Sequence, residues 1–305
     1  MTKYFLLLNL INLLSLTACV KKPEQMTGPT IGSLDIIADE NLRYIIEQEE
    51  DIFERSYKYA NVNITYMAEV DLFREFMADS IEAVITARRL TDEEKQYFIS
   101  QDVNPREYAF ATGAIAFVSN KNVSDTAYTY EEMISSWRDK NKGKVFVIEN
   151  AKSGITHEVM RILDTTALPA HFYALNSKQD VIDYVLTHEA AIGIVDWSDI
   201  SDSDSSMSNE ILSQIRLLGV SRPADSTQVG FVQPYQYNLQ DNKYPFTRDL
   251  YFISTTGMTD VGLGFASFIA GEIGQKIILK AGLLPKYKFE RIIELNSTSD
   301  IKVVK

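Results

Sequence analysis

The chain has 305 residues, 45% of them apolar and 24% charged, with 42 acidic against 30 basic side chains and a formal charge of −12. That balance supplies a real core but excludes a nucleic-acid surface, because no basic stripe offsets the negative field. A single cysteine, Cys19, excludes an internal disulfide, and His157, His171 and His188 lack the spacing of a metal centre.

Lys3 precedes the apolar run YFLLLNLINLL, residues 4–14. The run is shorter than the roughly 20 residues of a spanning helix but has the length of a signal-peptide core. Leu16-Thr17-Ala18-Cys19 resembles a bacterial lipobox, which implies removal of residues 1–18 as a lipoprotein signal peptide and acylation of Cys19. Residues 19–30 are polar, with Pro and Gly, and read as a tether.

From there the hydrophobic pattern alternates between the periods of strand and helix. Residues 33–39 (SLDIIAD) read as a buried strand, and 40–59 as a helix with Leu42, Ile45, Ile46, Ile52 and Phe53 near helical spacing. A strand over 62–67, a helix over 71–80, a strand over 81–86 and a helix over 91–100 follow. The last of these opens with acidic residues, as the helix dipole favours. Residues 107–120 are one extended apolar run, longer than an ordinary strand. The alternation restarts with a helix over 128–137, a strand over 144–150, helices over 154–164 and 177–188, and a strand over 190–197. Residues 198–209 read as a Ser/Asp loop and 215–221 as a strand. Residues 244–254 are extended, and 260–285 read as two helices stopped by Gly282-Leu283-Leu284-Pro285. This order predicts an α/β fold with mostly parallel sheets. The segments 107–120 and 244–254 are candidate strands crossing between two lobes.

Open α/β sheets bind ligands beyond the carboxyl ends of their strands, and three strand-to-helix junctions stand out. At the first, Asp39, Glu40 and Asn41 serve either as a cap with favourable acidic charge or as ligand contacts. At the second, Thr86 and Ala87 end a strand, and Arg88 or Arg89 could grip an oxyanion or sit as a surface cation. The third is ENAKSGITHEVM, residues 149–160. With Ser153 as N-cap, the N–H groups of Gly154, Ile155 and Thr156 are free helix donors, the local design of an anion cradle. A plain cap needs the same serine. Enzyme signatures are missing: there is no Gly-x-Ser-x-Gly elbow, Walker loop or Gly-x-Gly-x-x-Gly fingerprint. A hydrolase built on Ser153 has only His157 as a base, one turn on and expected to face solvent, so no enzyme and no cofactor are expected.

The C-terminal stretch carries a resemblance. Tyr244-Pro245-Phe246-Thr247-Arg248-Asp249-Leu250-Tyr251, then Phe265 to Phe268, Gly274-Gln275 and Gly282 to Pro285, resemble the ending of PstS-type phosphate-binding proteins of ABC transporters. VITARRLTDEE, SGIT and AAIGIVDWSDI resemble three further segments of that family in the same order. The resemblance covers residues 31–290. It implies a two-lobed periplasmic-binding-protein fold, α/β with mixed, mostly parallel sheets joined by two crossing strands. The first lobe would comprise 31–112 and 245–290, the second 113–244, with 291–305 as a tail. It also implies an anion held by helix N-termini and hydroxyls, which maps to Asp39, Glu40, Asn41, Thr86, Ala87, Arg88, Ser153, Gly154, Ile155 and Thr156. The chain departs from the pattern at Asp39-Glu40, where the family has small hydroxyl residues, and at Thr86-Ala87, where many relatives have an Asp. Ile155 replaces a Thr, and Lys152 is the nearest cation where the family has an Arg before Ser-Gly-Thr.

The expectation is a monomeric lipoprotein of the cell envelope, lipid-anchored through Cys19, with its folded part periplasmic or outward-facing. It would bind a small oxyanion, with phosphate the leading candidate, and deliver it to an ABC permease in the inner membrane. The alternative is a binding-protein-like lipoprotein that serves as a sensor or interaction module without transport.

Overall fold

The computed structural model describes residues 27–78, 81–223, 230–255 and 259–288. The expected signal peptide, Cys19, most of the expected tether and the expected 291–305 tail lie outside the described residues. In chain order, β1 (Ile31–Asp39), α1 (Arg43–Ser56), β2 (Tyr59–Met67), α2 (Glu69–Met77), β3 (Ala83–Thr86) and α3 (Asp92–Ser100) lead to the long β4 (Arg106–Asn120). Then come β5 (Ala127–Tyr128), α4 (Tyr130–Arg138), β6 (Val145–Glu149), α5 (Gly154–Leu163), β7 (Phe172–Leu175), α6 (Lys178–Thr187) and β8 (Ala191–Asp196). The chain continues through α7 (Ser206–Gln214), β9 (Ile215–Leu217), β10 (Gly219–Val220), α8 (Gln236–Gln240) and β11 (Thr247–Ser254). It closes with α9 (Val261–Ala270), α10 (Glu272–Lys280) and β12 (Leu284–Pro285).

The main sheet runs β2-β1-β3-β11-β4-β8-β6-β7. Strands β2, β1 and β3 are mutually parallel, and so are β8, β6 and β7. Antiparallel β11 and β4 join these two arrays. Through Ala114, β4 pairs with β11 and β12; from Ile115 onward it pairs with β8 and β9. This fifteen-residue strand therefore belongs to both lobes, which is why its apolar run exceeds ordinary strand length. Beside it, the Ile115 N–H donates to the Phe246 carbonyl at 2.9 Å and the Tyr244 hydroxyl donates to the Ile115 carbonyl at 2.7 Å, just before β11 begins. The architecture is the two-lobed α/β fold, with a curled mixed sheet rather than two separate ones.

Alternating side chains on β1 explain the layers. Leu34, Ile36 and Ala38 pack with Ile45 and Ile46 of α1 and Phe265 of α9. Ile37 packs on the other face with Leu72, Phe73 and Phe76 of α2 and Phe98 of α3. Trp137, Phe117 and Phe146 of the second lobe form an aromatic cluster with Phe246, which leads into β11. Helix α5 turns Ile155, Val159 and Leu163 inward, as their spacing predicts.

Some elements differ from expectation. The helix expected over 40–59 ends at Ser56, and Tyr59 already opens β2. The expected loop over 198–209 contains the start of α7, where the Ser205 hydroxyl accepts the Ser208 N–H at 3.3 Å. Serine is favoured both in loops and at helix caps, so composition alone reads the same in either case. β5, β7 and α8 span two to five residues, too few for periodicity to reveal, and the strand expected over 215–221 is divided into β9 and β10.

Candidate functional site

Strands β1, β3, β6 and β8 are apolar along most of their length, yet end in Asp39, Thr86, Glu149 and Asp196. These are the carboxyl ends of parallel strands, the edge at which such sheets form crevices. Asp39 is fully buried, and its Oδ1 accepts the Asn41 N–H at 3.1 Å. Its Oδ2 has no hydrogen-bond partner among the described residues, and neither do Asn41 Oδ1, Thr86 Oγ1 or Arg248 Nε. Orphaned atoms of this kind are unusual, since buried polar groups are nearly always paired.

Across the crevice stands the start of α5. The Ser153 hydroxyl caps the helix by accepting the Thr156 N–H at 3.3 Å, and the Thr156 hydroxyl donates to the Asn150 carbonyl at 2.9 Å. The Thr156 N–H is thus spent in the cap, leaving Gly154 and Ile155 as leading donors without an intrahelical acceptor. A Cβ on Gly154 would lie 2.7 Å from Glu69 Oε2, 2.9 Å from Asp39 Oδ2 and 3.3 Å from Arg248 Nη1. Only glycine admits two carboxylates and a guanidinium this close to the backbone.

Glu69 leads α2 and is buried. Its Oε1 lies 3.2 Å from Arg88 Nε and 3.2 Å from His157 Nδ1. Arg88 also donates through Nη1 and Nη2 to Glu94, at 2.8 Å each, and lies over the Phe73 ring at 3.4 Å. The buried Arg248 of β11 is paired with Asp196. Burial pushes the Asp39 carboxyl up to about 8, with the Glu69 charge adding to the effect. Burial also pushes Glu69 upward, but the His157 hydrogen bond and the charges of Arg88 and Arg248 outweigh it and hold Glu69 below the usual range. Near neutrality Asp39 therefore carries a proton and Glu69 a negative charge. Burial opposes the Arg248 charge, yet Asp196 and Asp39 more than restore it. A groove of about 350 Å³ opens above these groups, lined in part by Glu69, Ala87, Arg88, Gly154, His157 and Arg248.

A second set of contacts closes the crevice. Asn150 Nδ2 donates to Glu40 at 2.7 Å, and Asn41 Nδ2 donates to Glu149 over a long 3.5 Å. The dipeptides Glu40-Asn41 and Glu149-Asn150 thus clasp each other reciprocally. Lys152 pairs with Asp71 at 3.0 Å, and the Val70 N–H donates to the Lys152 carbonyl at 3.3 Å. Burial pushes Glu149 up to about 7, with Asp199 and Glu40 adding to it. Burial pushes Asp199 to about 6, with Lys178, 2.9 Å away, pulling the other way.

Among the residues singled out from sequence, Asp39, Thr86, Ala87, Arg88 and Gly154 converge on the crevice. Glu40 and Asn41 take part in the clasp. The Ser153 and Thr156 hydroxyls are used inside the cap, and the Ile155 side chain is buried in the core. Lys152 is directed at Asp71. His157, expected to face solvent, instead reaches Glu69. Sequence reasoning missed Glu69, Asp196 and Arg248. Arg248 left a readable signal only in its place within the Tyr244–Tyr251 motif, since Thr247 and Asp249 flank it in β11. Glu69 left none beyond an ordinary acidic first turn.

Residues 24–272 match the model of the PBP superfamily domain. No curated protein matches the chain. Among solved structures, a putative phosphate ABC transporter substrate-binding protein with bound phosphate from Clostridium perfringens superposes with a TM-score of 0.66 at 20% identity, covering 83% of this chain and 99% of that one. An ABC-type phosphate transport receptor from Vibrio cholerae gives 0.64 at 14% identity, over 83% and 100% of the two chains. PstS from Borrelia burgdorferi gives 0.54 at 18% identity, over 83% and 98%. At these identities the superpositions establish a shared fold. The family match spans most of the sequence, and the chain belongs to the PBP superfamily.

Proposed function

We propose that the chain is the solute-binding component of an ABC transporter and takes a small oxyanion, phosphate foremost, between its two lobes. The observation that carries this reading is the buried Asp39 Oδ2, without a hydrogen-bond partner among the described residues, standing with the Arg248 guanidinium beside Gly154 at the head of α5. A helix N-terminus is a natural seat for an anion. The phosphate-related structures with the same fold support the choice of ligand. The lobes would be 31–112 with 245–290, and 113–244, with β4 shared between them. Asp39, Thr86, Ala87, Arg88 and Gly154 would line the seat. Arg248 would supply the cation that Lys152, turned away, does not.

On this reading the mature chain is monomeric, held outside the cytoplasm by an acylated Cys19, and meets its permease at the membrane surface. Calorimetry with phosphate, sulfate and molybdate tests the binding step. Phosphate should give a saturable one-site isotherm. Arg248→Met should weaken it at least about tenfold, the scale of one charge-assisted hydrogen bond, and Arg222→Ala should leave it unchanged. Absence of heat and of any thermal shift with all three anions would overturn the reading.

A further inference from the structure

We propose that the Glu69 carboxylate is an internal ligand: it holds the cleft closed in the absence of solute, and an external oxyanion must displace it to bind. The proposal rests on the transport reading for its second half only.

The geometry around Glu69 is that of a bound anion. One carboxylate oxygen takes the Arg88 Nε–H and the His157 ring nitrogen, each at 3.2 Å. The other lies 2.7 Å from where a Gly154 Cβ would stand, directly over the start of α5. Arg248 Nη1 lies 3.3 Å from that same point. A guanidinium, an imidazole and a helix N-terminus converging on one pair of oxygens is the environment expected for a small oxyanion. Here the oxygens belong to the protein.

The contact also bridges the two lobes. Glu69 stands at the head of α2, in the β2-β1-β3 array, while Gly154 and His157 belong to α5, which follows β6. The neighbouring Val70 N–H reaches the Lys152 carbonyl at 3.3 Å, so the start of α2 is docked against the loop that leads into α5. Two helix N-termini facing each other repel through their dipoles, and a carboxylate between them removes that repulsion. An acidic residue serving only the first turn of α2 would not need its side chain buried, nor His157 of the opposite lobe as a partner.

The test combines two readouts on the mature chain and on Glu69→Gln and Glu69→Ala. Small-angle scattering without added anion reports closure, and calorimetry with inorganic phosphate reports competition. Both variants should be more open than wild type when empty. Both should bind phosphate at least about tenfold more tightly, since a competitor held by charge-assisted bonds has been removed. Variants that open but, like wild type, never bind phosphate would uphold the internal ligand and refute the phosphate reading. Variants with unchanged scattering and an unchanged or weaker isotherm would overturn the proposal. If neither variant folds, His157→Ala, at the half-exposed edge of the contact, should open the empty protein in part, and unchanged scattering there would overturn it.

Discussion

Closing the cleft should take up protons, and the perturbation that exposes this is a pH series on the empty protein. In the closed form burial holds Asp39 at about 8, against an ordinary 3.8, and Glu149 at about 7, against 4.5. Asp39 faces Glu69, Asp196 and Arg248; Glu149 faces Asp199, Glu40 and Lys178. When the lobes part, water reaches both carboxyls and returns them toward their ordinary values. Both are raised in the closed form, so the protonic contribution to closure is complete at acid pH and is lost as pH rises through 7 and then 8. Each proton changes the closed-to-open ratio tenfold per pH unit between its two pKa values. Two protons therefore set a ceiling of about a hundredfold per unit between roughly pH 5 and 7, falling to about tenfold up to pH 8 and to nothing beyond. Asp199, held at about 6, adds in the same direction below that pH. Glu69, held below the usual carboxylate range by His157 and Arg88, does not add to this uptake. The assay is small-angle scattering at constant ionic strength from pH 5 to 9, with the double variant Asp39→Asn, Glu149→Gln as control. Progressive opening in wild type is expected, with a control that opens only up to about pH 6, through Asp199, and is flat above it. A wild-type profile that is flat, or that closes as pH rises, would refute the reasoning.

Glu49 and Gly154 carry two further predictions. Glu49 of α1 is buried with neither carboxylate oxygen hydrogen-bonded among the described residues, and burial pushes it up to about 8. The folded chain then keeps a proton that the unfolded chain loses above its ordinary 4.5, so stability falls with rising pH by about 1.4 kcal/mol per unit until pH 8. Glu49→Gln should match wild type in urea melts near pH 4 and exceed it by about 3 kcal/mol at pH 7; an equal slope in both proteins would count against it. Gly154→Ala should cost the closed form about 1–3 kcal/mol by overpacking against Glu69 and Asp39, opening the empty protein and weakening phosphate binding. An unaltered isotherm and scattering profile would show that the lobes do not meet there.

The α/β class was legible because strand and helix impose different periods, and the restart of the alternation after residue 120 marked the second lobe. Ser153 was legible as a cap, since a Ser-Gly step before an apolar helical stripe has a local cause. What escaped reading depends on contacts between distant segments. Glu40-Asn41 and Glu149-Asn150 are the same dipeptide, yet their mutual pairing, 108 and 110 residues apart, has no local signature. Glu69 reads locally as a helix-start acid, and only the docking of α2 against α5 turns it into part of the site. Arg248 is the intermediate case. It stands in the Tyr244–Tyr251 motif, but with Thr247 and Asp249 beside it neither its burial nor its partner, Asp196, had a local signature.

The charge state of Asp39 bears on which anion the seat accepts. With a chain charge of −12, long-range attraction offers an anion nothing, and recognition must come from local donors. Arg88 is shared between Glu69 and Glu94, and Arg248 is held by Asp196, so neither cation is free while the cleft is closed. Displacing Glu69 releases one face of Arg88, the His157 ring and the head of α5. Asp39 then decides the rest. Protonated, its Oδ2 can donate to any oxyanion, sulfate included. Ionised, it can only accept, and an anion without a proton meets an uncompensated negative charge. Discrimination in favour of a proton-bearing anion such as phosphate therefore belongs to the ionised form of Asp39. The protonated form favours binding over selectivity.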